Sequence, residues 1–163
     1  MKIELKSIKY AAFASEETSC YSATLWVDGK KIGDVSNEGH GGCDRFHGDQ
    51  AAYAAADAWC KANLPQWTIN GEPGDTPFPT DLEMHCGALL EEFLIGRDMD
   101  SGLRTKALFT DPDRPGLFSV AYRGKIKPDA RLFASVLDKT PGAVILNTLP
   151  RAEAIAIFKA NAS

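Results

Sequence analysis

The chain has 163 residues, 44% hydrophobic and 25% charged, with 22 Asp and Glu against 18 Lys and Arg, for a net charge of −4 and a pI near 5.4. A chain of this length buries roughly 70% of the surface that its unfolded form exposes, enough for one core without staples, so a single domain over 1–163 is the default expectation. The composition excludes disordered, fibrous and membrane-spanning classes. The acidic balance argues against nucleic acid as a partner, because phosphate-backbone affinity comes from Lys and Arg displacing counterions.

Residues 2–9 alternate Ile3, Leu5 and Ser7 with Lys2, Glu4 and Lys6, the period-two pattern of a half-buried strand, which Tyr10 to Phe13 prolong. The same opening lacks the continuous apolar region of a secretory signal, so a cytoplasmic location is expected. Tyr21, Ala23, Leu25 and Val27 form a second strand face, and Asp28-Gly29 is a hairpin signal leading into Lys31 to Val35. Asn37 to Asp49 carries glycines at 39, 41, 42 and 48, which predicts a shaped loop. Asp49 caps a helix running to about Asn63, with Ala52, Tyr53, Ala56, Cys60 and Leu64 at helical spacing and Pro65 ending it.

Four prolines and two glycines make 65–79 an irregular connector, a place where sub-lobes 1–64 and 80–163 would join. Thr80-Asp-Leu-Glu83 reads as a capping box, and the helix it opens carries a core stripe of Leu82, Cys86, Leu89, Leu90 and Phe93, with His85 at its edge. Lys106 to Thr110 and Leu117 to Tyr122 predict a second hairpin around Asp111 to Gly116. Pro128 at a first helical position opens a helix through Asp138, and Ala143 to Leu146 is a short buried strand. A closing helix covers Thr148 to Ala160. The order βββ-α-α-ββ-α-β-α predicts an α+β fold: an antiparallel meander and a second hairpin packed with four helices. Apolar runs such as Ala143 to Leu146 are far shorter than the ~20 residues of a membrane-spanning helix. Cysteines 20, 43, 60 and 86 form no CxxC pair and are expected as thiols.

Gly39-His-Gly-Gly-Cys-Asp-Arg-Phe-His47 is the segment richest in chemistry, and loops on rigid scaffolds are where function gathers. His40, Gly41, Gly42, Asp44, Arg45 and His47 are the candidate binding residues. One alternative is zinc, since His40, Cys43 and His47 give H-x2-C-x3-H and His85 supplies a fourth ligand, although the neighbouring Cys86 sits in an apolar stripe. A second alternative is a small anion or nucleotide cradled by the amides of Gly41 and Gly42, Arg45 and the helix dipole after Asp49, with a histidine as acid or base. Asp44 and Asp49 oppose that anion. No GxSxG, HExxH, kinase set, P-loop, dinucleotide fingerprint or catalytic-cysteine signature is present. Asp98-x-Asp100 and Asp111-x-Asp113 lack the other positions of a calcium loop and read as turns. The acidic residues Glu83, Glu91, Glu92, Asp98 and Asp100, interrupted by Arg97 and Arg104, read as a solvated face rather than a nucleic-acid mimic.

The string Asp28-Gly-Lys-Lys-Ile-Gly33, then Asn37-Glu-Gly-His-Gly-Gly42 and an alanine-rich helix, resembles short proteins of phages and bacterial mobile elements. Asp81-Leu-Glu, Leu90-Glu-Glu-Phe-Leu-Ile95 and Lys106-Ala-Leu-Phe109 carry the resemblance over most of the chain. It implies a bacterial host cytoplasm and an accessory role in binding host machinery, and the absence of a complete catalytic set points to a non-enzymatic protein that modulates or inhibits a component of a defence or regulatory system. No cofactor and no catalytic residue transfers with it.

Overall fold

The computed structural model describes residues 1–69, 76–124 and 126–161. Strands β1 (Ile3–Tyr10), β2 (Tyr21–Val27), β3 (Lys30–Asn37) and β4 (Arg45–Gly48) precede helices α1 (Gln50–Asn63) and α2 (Leu82–Leu103). Strands β5 (Ala107–Asp111) and β6 (Arg114–Val120), helix α3 (Ala130–Lys139), strand β7 (Val144–Ile145) and helix α4 (Arg151–Asn161) follow. The fold is α+β, with an antiparallel sheet ordered β1-β2-β3-β4 and another ordered β6-β5-β7. The chain divides into two compact units, Met1–Glu91 and Glu92–Ser163. The division falls within α2, so the connector at 65–79 belongs to the first unit. Its stretch 70–75 lies outside the described residues, while Trp67 and Phe78 on either side exchange two backbone hydrogen bonds of 3.0 and 2.8 Å and set their rings 5.2 Å apart.

In the first unit the sheet's inner face carries Ile3 and Leu25, which pack with Ala56 and Cys60 of α1 and Leu82 and Cys86 of α2. Leu25, Cys60 and Leu82 are fully buried, and each of the two leucines stabilises the fold by roughly 1.5–3 kcal/mol. Asp28 (φ +48°) and Gly29 (φ +81°) make the two-residue hairpin turn, whose two left-handed positions suit Asp-Gly. In β3, Ile32 and Gly33 stand opposite Leu25 at a bulge, which turns both toward the inner side. In the second unit, Ala107 and Ile145 pack with Leu132 and Val136 of α3. A neighbouring cluster joins Met99, Leu108, Leu146 and Ala154 of α4.

Several expectations need correction. β1 stops at Tyr10, because residues Ala12–Ala14 close a 3-10 turn that leaves Phe13 94% exposed. Thr80 does not cap α2: its hydroxyl donates to the Pro65 carbonyl at 2.6 Å, and Asp81 instead accepts the Met84 amide at 2.8 Å. Phe93 is 40% exposed rather than part of the core stripe. Asp129, not Pro128, begins α3, its carboxylate accepting the amides of Arg131 and Leu132. The last strand is two residues long, since Leu146–Thr148 turn into a 3-10 segment before α4 starts at Arg151. All four cysteines are free thiols, and among the described residues no helix is long and apolar enough to cross a membrane.

Candidate functional site

The loop expected over Asn37 to Asp49 is shorter than its glycine content suggests. β3 continues through Asn37, and Arg45 to Gly48 form a fourth strand in which Phe46 pairs with Val35 and His47 with Asp34. What remains is a tip at 38–44 whose glycines 39, 41 and 42 have φ of +89°, +86° and +92°. At Gly39 a side chain is excluded twice over: the φ is left-handed, and a Cβ would lie 2.0 Å from the Ala14 carbonyl oxygen. The Gly39 carbonyl accepts the amides of Glu16, Glu17 and Thr18 at 2.9–3.3 Å, which laces the tip to the segment after β1.

The tip is organised by Asn37, which is 8% exposed. Its Oδ1 accepts from Thr18 Oγ1 at 2.7 Å and from the Gly39 amide at 2.9 Å, and its Nδ2 donates to the Gly42 carbonyl at 3.2 Å and Asp44 Oδ1 at 3.1 Å. Asp44 also accepts the Tyr21 hydroxyl, and its own amide donates to Glu83 Oε1 at 2.8 Å. Burial, followed by the hydrogen bond to Asp44, pushes the Tyr21 phenol far above its ordinary value. Thr18, Tyr21, Asn37 and Glu83 were not among the candidates. The available signal was Asn37 itself, an amide placed where a strand meets a glycine turn.

The structure splits the six candidates between three environments. His40, Gly41 and Gly42 stand exposed at the tip, where His40 Nδ1 lies 3.2 Å from Glu16 Oε2 and the Gly41 amide donates to Thr18 Oγ1 at 3.3 Å. Asp44 is turned inward, into the network around Asn37. Arg45 and His47 project from the outer face of the sheet because side chains alternate along β4, with Phe46 between them facing inward against Tyr53 at 4.6 Å between ring centroids. Arg45 holds Glu38 in two contacts of 2.6 and 3.3 Å.

The other proposed ligands lie elsewhere. Cys43 is exposed at the tip, and the neighbouring Glu83 raises its thiol pKa. His85 is half-buried on α2, and desolvation lowers its pKa. Among the described residues no group of three or more His, Cys, Asp or Glu side chains is placed to hold a metal ion. His40, Cys43, His47 and His85 are therefore not assembled as a ligand set: His47 faces outward from the sheet, and His85 belongs to the helix packed on its inner side. Asp49 occupies the start of α1, its carboxylate accepting the Ala52 amide at 3.0 Å, so that helix end is already capped by an acid.

Beside the tip lies an open depression of about 480 Å³, floored on the outer sheet face by Lys9, Ser22 and Ser36 and rimmed by Glu38 and His40. No family model, curated protein or solved structure matches the chain.

Proposed function

We propose that the chain is a non-enzymatic accessory protein that binds another protein through the 38–43 tip and the adjoining Arg45 and His47 face. One observation carries this reading: a buried asparagine with four hydrogen bonds holds a glycine-rich segment rigid while the side chains at its tip point into solvent. Fixing such a segment costs conformational entropy that exposed residues do not recover inside the domain, whereas preordering lowers the cost of docking a partner. Phe13 supports it. Its ring is 94% exposed on the turn that precedes the 16–18 segment, whose amides the Gly39 carbonyl accepts, and buried aromatic anchors dominate protein interfaces.

Acid–base catalysis is the weaker reading, since His40 stands exposed beside the exposed carboxylate of Glu16 and His47 stands open on the outer face of a strand. The resemblance to proteins of phages and mobile elements extends the proposal to a partner from a bacterial defence or regulatory system, met in the host cytoplasm.

The test is co-purification of the tagged full chain from a bacterial host, compared with a variant in which His40, Arg45 and His47 are all alanine. The expected result is a stoichiometric protein partner with the parent chain and its loss with the variant, at an unchanged melting temperature. A variant that keeps the partner, or a parent chain that captures none, overturns the reading.

A further inference from the structure

Strand register puts a particular set of side chains on the outer face of the four-stranded sheet. Lys9, Ser22, Ser36 and Arg45 are successive cross-strand partners and form one row over all four strands, with a cation at each end about 14 Å apart. The next row is Lys6, Thr24, Asp34 and His47, and beyond it Glu4, Trp26 and Lys31 align. Lys6, Lys9, Lys31 and Arg45 thus share the face with three acids, Glu4, Asp34 and Glu38, of which Asp34 pairs with Lys31 at 2.8 Å and Glu38 with Arg45 at 2.6 Å, and all of these except the half-buried Glu4 are exposed. The first unit as a whole has the opposite balance, since residues 1–91 contain seven Lys and Arg against fourteen Asp and Glu, a net of −7. Four of those seven cations stand on one sheet face.

Two further features suit this face to a ligand bearing carboxylates. The depression of about 480 Å³ opens at the Lys9, Ser22 and Ser36 end, where two hydroxyl groups lie next to an ammonium. At the other end Arg45 already holds a carboxylate, that of Glu38, in the two-contact geometry by which guanidinium recognises such groups. Trp26, half-exposed with Lys6 4.1 Å over its ring, adds an apolar surface between the cations.

We propose that this outer sheet face docks an acidic segment of a protein partner. The inference rests on the protein-binding reading above and specifies the partner's chemistry. Patch size favours a short acidic protein segment over nucleic acid. A phosphate backbone continues beyond a patch about 14 Å wide, and the first unit as a whole is at −7, whereas a few carboxylates end where the cations end.

The test is fluorescence anisotropy of the full chain with a labelled glutamate octapeptide at rising ionic strength, with a labelled dodecathymidylate run in parallel. The expected result is peptide binding at low salt that fades as salt rises and exceeds binding of the oligonucleotide. Lys9→Glu with Arg45→Glu should weaken it about tenfold or more, while Arg123→Glu with Lys127→Glu, an equal charge change outside the face, leaves it intact. Both pairs lie at exposed positions, and far-ultraviolet circular dichroism verifies their folding. Absence of peptide binding, equal effects of the two double variants, or tighter binding of the oligonucleotide each overturns the assignment. A partner that still co-purifies and is lost with the alanine variant, while the peptide fails, sinks this inference and leaves the protein-binding reading standing.

Discussion

Asn37 uses all four hydrogen bonds that an asparagine amide can make, two as acceptor and two as donor. Replacing it by alanine strands Thr18, Asp44 and the backbone of the tip in a poorly hydrated position, which should cost about 2–3 kcal/mol. Asn37→Asp keeps the volume but loses both donors and sets a carboxylate against Asp44, so it should cost at least as much. Urea unfolding of the two variants measures this directly, and an aspartate variant as stable as the parent would show that the amide donors contribute nothing. The sequence shows this residue only as a turn former at the start of the glycine-rich segment, and its buried, four-bonded state was not legible there. Its partners include Thr18, nineteen residues away, and a contact at that separation leaves no local pattern.

At the scale of elements, Cys86 of α2 and Tyr53 of α1 pack against the same sheet, and burial pushes the thiol up to about 12 and the phenol up to about 12. In the unfolded chain these groups ionise near their ordinary values of 9.0 and 10.0. The unfolded state therefore gives up protons first as pH rises. The stability these groups contribute is fully present below about pH 9 and should fall progressively between pH 9 and 12. Urea midpoints measured across that range test this, and Cys86→Ala should be less stable overall but show a shallower decline. The elements themselves were largely legible: the first hairpin, both helices after it and the second hairpin follow from apolar period and turn residues. The misses have local causes. β4 was hidden because its four residues lie among glycines, and the capping box failed because Glu83 is engaged by the Asp44 amide while Asp81 supplies the cap one residue later.

Over the whole molecule, a net charge of −4 conceals a difference between the units, since residues 92–163 carry eleven Lys and Arg against eight Asp and Glu while the first unit is at −7. Composition averages over that difference, and only strand register reveals which cations share a face. The same register turns His47 to the outer face, away from His85, whose helix packs on the inner side. Addition of zinc or of a chelator should leave the melting temperature of the purified chain unchanged, and a rise of several degrees with zinc would mean that the four proposed zinc ligands do assemble in solution. β1 is an outer strand of its sheet, yet Ser7 stands at φ +53° in the middle of it, where the pairing with β2 slips between Lys6 and Lys9. A strand kinked and charged in this way is a poor template for the addition of another along its free border. Concentrated preparations are thereby guarded on that side against ladder growth into amyloid.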